Sequence, residues 1–157
     1  MKEKIIAQGA EAIILEEGDE IIKRRIKKSY RIKELDDKIR KQRTRSESKL
    51  LEKASKIISI PKLIKTDDKE MEISMEFIQG KKLSEELNSF PLEKQKQICF
   101  QIGESIAKLH DRDIIHGDLT TSNTILKGEK VYFIDFGLGF NSHRIEDKAV
   151  DLHLIKQ

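Results

Sequence analysis

Apolar positions recur with two different periods along the 157-residue chain. Ile13-Ile14-Leu15, the turn Glu17-Gly18-Asp19 and the run Ile21 to Ile26 predict a β-hairpin with β-branched arms. From Leu35 the period becomes helical: Leu35, Ile39, Arg43, Glu47 and Leu51 recur every fourth residue, with Leu50 and Ala54 beside them, and Pro61 closes the region. Met71, Ile73, Met75 and Phe77 alternate with Glu72, Ser74 and Glu76, the pattern of a half-buried strand, and Gly80 ends it. After Phe90-Pro91 a second helix carries Ile98, Ile102, Ile106 and Leu109 on one face. Two short apolar runs follow, Thr124 to Leu126 and Val131 to Ile134, joined by the turn Lys127 to Lys130. The predicted order is a small sheet with one helix, a connector after Gly80, and a helical part bearing a short hairpin.

The first helix holds an anomaly. Arg43 and Glu47 share a stripe with Leu35, Ile39 and Leu51, where a plain amphipathic helix would place apolar side chains. A charge on a core-facing stripe is costly unless paired. Glu47 therefore calls for a cation from the sheet, and Lys23, on the second arm of the hairpin, is the natural candidate. The alternative is a wide stripe with Glu47 at its wet edge.

Composition narrows the classes. The apolar fraction is 37% with no Trp, and no run approaches the roughly 20 apolar residues a membrane span requires. The N-terminus lacks a signal-like apolar stretch, so the chain reads as cytoplasmic. Cys99, the single cysteine, cannot form an internal disulfide and is expected to be a small core residue. The net charge of +3 conceals an asymmetry: residues 21–50 hold 13 Lys or Arg against 4 acids, a net of +9, which leaves −6 for the rest. Such a block attracts phosphate or an acidic partner, unless it is only a solvated helix surface.

Candidate chemistry concentrates between His116 and Gly137. His116-Gly117-Asp118-Leu119-Thr120-Thr121-Ser122-Asn123 is followed, after the second hairpin, by Ile134-Asp135-Phe136-Gly137. Asp118, Asn123 and Asp135 are thereby brought to loop mouths. A magnesium ion takes a few oxygens plus its substrate's phosphates, which Asn123 and Asp135 could supply while Asp118 stays available for a proton. Each short motif alone is weak, because Gly-Asp and Ser-Asn are ordinary turn formers. Their joint spacing is specific.

These residues resemble the protein-kinase superfamily, whose catalytic loop pairs an Asp with an Asn five positions on and whose Asp-Phe-Gly follows a strand. The resemblance implies an α+β, two-lobed protein-kinase-like fold in minimal form: a small N-terminal antiparallel sheet plus one helix, then a reduced, mostly helical C-lobe. Residues 1–80 would be the N-lobe and 81–157 the C-lobe. Lys23 would bind phosphate and Glu47 would be its ion-pair partner. Met75 would be the gatekeeper, with the backbone of Glu76 to Ile78 facing adenine. Asp118 would accept or orient the acceptor's proton, Asn123 and Asp135 would hold magnesium, and His116 and Asp151 would support the loop. Gly9, Ala10, Glu11 and Ala12 would form the phosphate loop of an ATP site.

A narrower resemblance spans residues 8 to 152. Gln8 to Ala12, Ile22 to Arg25, Lys28 to Arg31, Leu35-Asp36, Arg43 to Glu47, His116 to Asn123 and Glu146 to Leu152 are similar to the small atypical kinase subunit of the archaeal and eukaryotic KEOPS complex. It implies an ATP- and magnesium-dependent serine/threonine kinase or ATPase that binds the KEOPS catalytic subunit and other KEOPS subunits and supports threonylcarbamoyl modification of transfer RNA. Departures from ordinary kinases are informative. The loop has one glycine, Gly9, and an acid, Glu11; Gly117 and Thr120 stand where an arginine and a lysine are usual. Only Leu138 to Ile145 separate the metal loop from Glu146-Asp147, too few for a peptide-docking segment. The C-lobe is expected either to continue beyond Gln157 or to be finished by a partner. Two other functions fit parts of the pattern: a small-molecule phosphotransferase of the aminoglycoside or choline kinase type, and a non-enzymatic subunit that contacts transfer RNA through the basic block 21–50.

Overall fold

The computed structural model describes residues 3–156 and divides into two compact units, Met1–Lys49 with Lys62–Phe77, and Leu50–Pro61 with Ile78–Gln157. The first unit is built on five antiparallel strands. β1 (Lys4–Gln8), β2 (Ala12–Glu17) and β3 (Glu20–Arg25) form a meander; after the helix α1 (Lys33–Ala54) come β4 (Leu63–Asp67) and β5 (Glu72–Glu76). The strand order is β1-β2-β3-β5-β4. Gly18, at φ 61°, makes the tight turn that sets Glu17 opposite Glu20. Leu15 and Ile22 are buried on one face of the sheet, and Ala12, Ile73 and Met75 on the other, where Ala12 pairs with Arg25 and Ile73 with Lys23.

Side chains alternate across a strand, so Lys23 and Arg25 share a face of β3 opposite to that of Ile22. Both are buried. The stripe of α1 that is buried in this unit is polar as well: Asp36, Thr44, Glu47 and Ser48. Leu35, expected on that stripe, is half exposed. The inward line runs through its neighbour Asp36, fully buried, whose carboxylate takes Arg40, the backbone N–H of Lys28 and Arg31. Burial alone would raise the Asp36 pKa, but these donors hold it below the ordinary carboxylate value.

The second unit takes the last turn of α1 and continues with β6 (Lys81–Lys82), α2 (Leu83–Glu86), α3 (Leu92–Asp111), β7 (Ile114–Ile115), β8 (Thr124–Lys127), β9 (Lys130–Phe133), β10 (Phe140–Asn141) and α4 (Ile145–Ile155). Pro91 holds Phe90 extended, which separates α3 from the turn before it. The α3 face Ile98, Ile102, Ile106 and Leu109 is buried as its spacing requires. Cys99 is exposed, contrary to expectation. It lies about 100° round the helix from Ile98, on the solvent side. β8 and β9 pair as a hairpin, β6 joins β8, and β7 pairs with β10. A Cβ on Gly80 would stand 2.5 Å from the Leu126 carbonyl oxygen, so the residue before β6 must be glycine for this approach. Among the described residues no helix is long and apolar enough to cross a membrane.

Candidate active site

In the first unit, β3 and α1 supply a buried ionic cluster. Lys23 Nζ donates to Glu47 Oε1 at 2.8 Å, and Arg25 Nη2 donates to Glu47 Oε2 at 2.5 Å. Arg25 also reaches the Arg43 carbonyl at 3.4 Å. Glu47 is 2% exposed, so the charged stripe position is inward and paired. The spacing pointed to Lys23. It missed Arg25, although strand periodicity puts that residue on the same face two positions on.

The segment Gly9-Ala10-Glu11-Ala12 links β1 to β2. Gly9 N–H donates to the Ala12 carbonyl at 2.9 Å, closing a tight turn. Glu11 points to α1, where Arg43 Nη1 meets its Oε2 at 2.7 Å. The acid in the loop therefore has a basic partner, and Arg43 leaves the apolar stripe to provide it. Met75 is buried at the end of β5. The N–H groups of Glu76 and Phe77 donate to the carbonyls of Lys62 and Asp19. Ile78, by contrast, has no acceptor for its N–H among the described residues.

In the second unit the geometry centres on Asp151. This α4 carboxylate is 1% exposed. Its Oδ2 accepts the His116 N–H at 3.0 Å and its Oδ1 the Gly117 N–H at 2.9 Å, and His110 Nε2 lies 2.9 Å from Oδ2. Gly117 has φ 83°, and a Cβ there would lie 2.2 Å from the Leu138 carbonyl oxygen. The absence of a side chain where ordinary kinases carry arginine is thus dictated by the backbone.

His116 is fully buried against the rings of Phe136 and Phe133, with centroids at 4.6 and 6.3 Å. The Asp118 N–H donates to its Nδ1 at 3.3 Å, which makes Nε2 the protonated nitrogen, donating to the Ile134 carbonyl at 3.1 Å. Burial lowers the His116 pKa despite the opposing pull of Asp151, Asp135 and Asp118. A neutral imidazole therefore ties the segment containing Asp118 to the strand end before Asp135.

Asn123 completes the arrangement. Its Nδ2 donates to the Asp118 carbonyl at 2.9 Å and to Asp118 Oδ2 at 2.8 Å, while Ile134 N–H donates to the Asn123 carbonyl at 3.0 Å. With the amide nitrogen committed, Asn123 has its side-chain oxygen left, the donor a hard cation takes. Asp135 sits at φ 63°, with its Oδ1 accepting the Gly137 N–H at 3.1 Å. Left-handed backbone at a non-glycine residue is sparsely populated and clusters at functional sites. Asn123 and Asp135 thus offer the oxygen chemistry that suits magnesium, and the Ile78 N–H offers a donor that suits adenine.

The segment after Gly137 is tied down. Phe140 and Asn141 pair with Ile115 and Ile114, and Ser142 N–H donates to the Asp113 carbonyl at 2.9 Å. The Asp113 carboxylate takes Lys148 Nζ at 2.9 Å and His143 Nδ1 at 2.7 Å. Lys148, ahead of His143 and against the cost of burial, holds it below the usual carboxylate range. Sequence reasoning missed Asp113, His110 and Phe133, and gave Phe136 only as the middle of the Asp-Phe-Gly motif, because each acts through contacts distant in sequence.

Comparison with known proteins identifies the family. The protein kinase domain matches residues 5–151. The chain is 47% identical over 165 residues to KEOPS complex subunit Bud32 of Pyrococcus abyssi, covering 98% of this chain and 75% of that protein. It is 44% identical over 151 residues to EKC/KEOPS complex subunit BUD32 of Encephalitozoon cuniculi, covering 96% of this chain and 74% of that one. A probable bifunctional tRNA threonylcarbamoyladenosine biosynthesis protein of Methanobrevibacter smithii is 44% identical over 162 residues; the alignment takes in all of this chain but 29% of that protein. The chain thus spans about three quarters of the first two relatives and under a third of the bifunctional one. It belongs to the protein kinase family and, within it, to the Bud32 family.

Proposed function

We propose that this chain is an atypical ATP-dependent kinase or ATPase that works as the kinase subunit of a KEOPS complex in the synthesis of threonylcarbamoyladenosine in transfer RNA. The names of its relatives support the assembly and the pathway. The observation that carries the chemistry is the pairing of Asn123 Nδ2 with Asp118. It commits the amide nitrogen, which leaves the Asn123 side-chain oxygen for a cation and Asp118 Oδ1 to take or orient the proton of an attacking hydroxyl or water.

Lys23, fixed by Glu47, contacts the ATP phosphates, as does the loop Gly9 to Ala12. Met75 borders the adenine, the Glu76 carbonyl and Ile78 N–H meet its edge, and Asn123 and Asp135 hold the metal. Magnesium, when bound, neutralises charge on the transferring phosphoryl group. His116 and Asp151 position the backbone around Asp118. The new bond joins the acceptor oxygen to the γ-phosphorus, the bond to the bridging oxygen breaks, ADP leaves, and the acceptor's proton passes to Asp118. The short, tied segment after Gly137 favours water over a protein hydroxyl as the principal acceptor. Serine or threonine phosphorylation is the weaker activity.

The test is magnesium-dependent ATP turnover by the purified chain, alone and with the KEOPS catalytic subunit. Asp118→Ala and Asp135→Ala should each lower it by about 100-fold or more. Turnover in both variants equal to that of the unaltered chain would sink the enzymatic reading.

A further inference from the structure

Kinase loops with three glycines can wrap phosphates through their own backbone freedom. This loop has only Gly9, with alanines at 10 and 12, so its peptide planes must be set from outside. One cation does this and a second holds the loop's acid. Lys28 Nζ donates to the Ala10 carbonyl oxygen, and Arg43 pairs with the Glu11 carboxylate. Lys28 is itself seated: its backbone N–H donates to Asp36 Oδ1 at 3.3 Å, and Asp36 is fully buried between Arg40 and Arg31. On the far side of the turn, Ile26 N–H holds the Glu11 carbonyl at 3.0 Å.

In a trans peptide the carbonyl and the following N–H point in opposite directions. Capture of the Ala10 oxygen by Lys28 therefore fixes the direction of the Glu11 N–H. Neither the Ala10 nor the Glu11 N–H donates to any acceptor among the described residues. Two successive unengaged N–H groups in a turn are donors available to an anion.

We propose that Lys28, seated by Asp36, is a positioning residue that locks the Ala10–Glu11 peptide with its N–H turned to the ATP phosphates, and that Arg43 draws the Glu11 carboxylate away from them. This rests on the reading of residues 9 to 12 as the phosphate loop. Lys28 acts through the peptide, and Arg43 removes a repulsion, so the two have different genetic signatures.

The experiment is equilibrium binding of ATP and of adenosine, both with magnesium, read by calorimetry, with melting temperatures measured in parallel. Lys28→Met should weaken ATP about tenfold, leave adenosine within about twofold and leave the melting temperature near that of the unaltered chain. Lys28→Arg should recover most of the loss. Arg43→Gln should weaken ATP about threefold, and adding Glu11→Gln should restore it, because the repelling charge is gone. Unchanged ATP affinity in Lys28→Met, an equal fall for adenosine, or no rescue by Glu11→Gln would overturn the proposal while ATP binding by the unaltered chain stands. An unaltered chain that binds ATP no tighter than adenosine would overturn the phosphate-loop reading beneath it.

Discussion

Glu47 in the first unit and Asp151 in the second are buried carboxylates near the proposed chemistry, and they are held by different means. Glu47 is held by side-chain cations, Lys23 and Arg25, on one face of β3. Asp151 is held by the backbone N–H groups of His116 and Gly117 and by His110. Backbone donors cannot swing, so the Asp151 network fixes the path of the chain leading into Asp118. The Glu47 cluster instead fixes charge: its carboxylate holds the Lys23 ammonium and the Arg25 guanidinium on one face of β3. Rigid placement suits a proton acceptor, and a cation fixed in place suits electrostatic stabilisation of a phosphate.

Removing the acceptor from the ionic cluster should produce the largest effect. Glu47→Ala would leave two buried cations without their shared carboxylate, a loss of about 3–5 kcal/mol in urea unfolding. Replacing Lys23 and Arg25 by Met in the same chain should return most of that stability, since an apolar cluster of similar volume needs no partner, while ATP binding stays lost. If the triple variant is as unstable as Glu47→Ala, the charge-burial account of the first unit fails.

Asp151→Ala should cost somewhat less, about 2–4 kcal/mol, because it strands the His116 and Gly117 N–H groups and the His110 ring nitrogen but no full charge. Asp151→Asn keeps one carbonyl oxygen and should recover part of the loss. The sharper measurement is turnover: a variant that is folded at the assay temperature should still lose activity, because Asp118 is no longer placed. Unimpaired turnover in folded Asp151→Asn and Asp151→Ala would show that the backbone clamp does not set the site.

The same contrast explains what could be read from the chain. The Lys23–Glu47 pair was legible because a charge on a helical stripe breaks a local pattern, and a broken pattern demands a partner. The Asp151 clamp breaks no pattern; its donors are backbone groups, which carry no residue identity, and only the family resemblance pointed to it. The strands β2, β3, β8 and β9 were legible as short apolar or β-branched runs beside turns, and β5 by its clean alternation. β1 and β4 were not. They are the sheet's two edges; β1 is exposed along its whole length and β4 is broken by a register shift, so neither carries a clean alternation. Leu35 misled because helix periodicity fixes the spacing of the buried stripe but not which residue starts it, and here the stripe starts at a salt-bridged Asp36. Cys99 misled because a residue type's average burial says nothing of helix phase.

Acid offers the mildest way to separate the two units. Asp36 in the first has its pKa below the ordinary carboxylate value, and Asp67 is lowered to about 2, first by the Glu70 N–H and then by Lys65 and the Lys69 N–H. Stability linked to them is present above the unfolded value of 3.8 and is lost as pH falls through their lower folded values. His116 in the second unit is also lowered, but a histidine lowered by burial has the opposite linkage. Above its ordinary 6.5 it is neutral in both states and costs nothing; as pH falls below that, the unfolded chain takes up a proton that the folded imidazole refuses. Its nitrogens are engaged as one acceptor and one donor, with Asp118 N–H and the Ile134 carbonyl, so protonation would set two donors face to face. Unfolding free energy should therefore decline from about pH 6.5 downward by at most about 1.4 kcal/mol per pH unit, before any loss from Asp36 or Asp67 begins. Urea titrations at pH 7.5 and 5.5 measure this, with His116→Asn as the control whose stability, lower at both values, should change less between them. Equal declines in the two proteins would assign the acid sensitivity elsewhere and remove the neutral His116 from the account of how Asp118 is held.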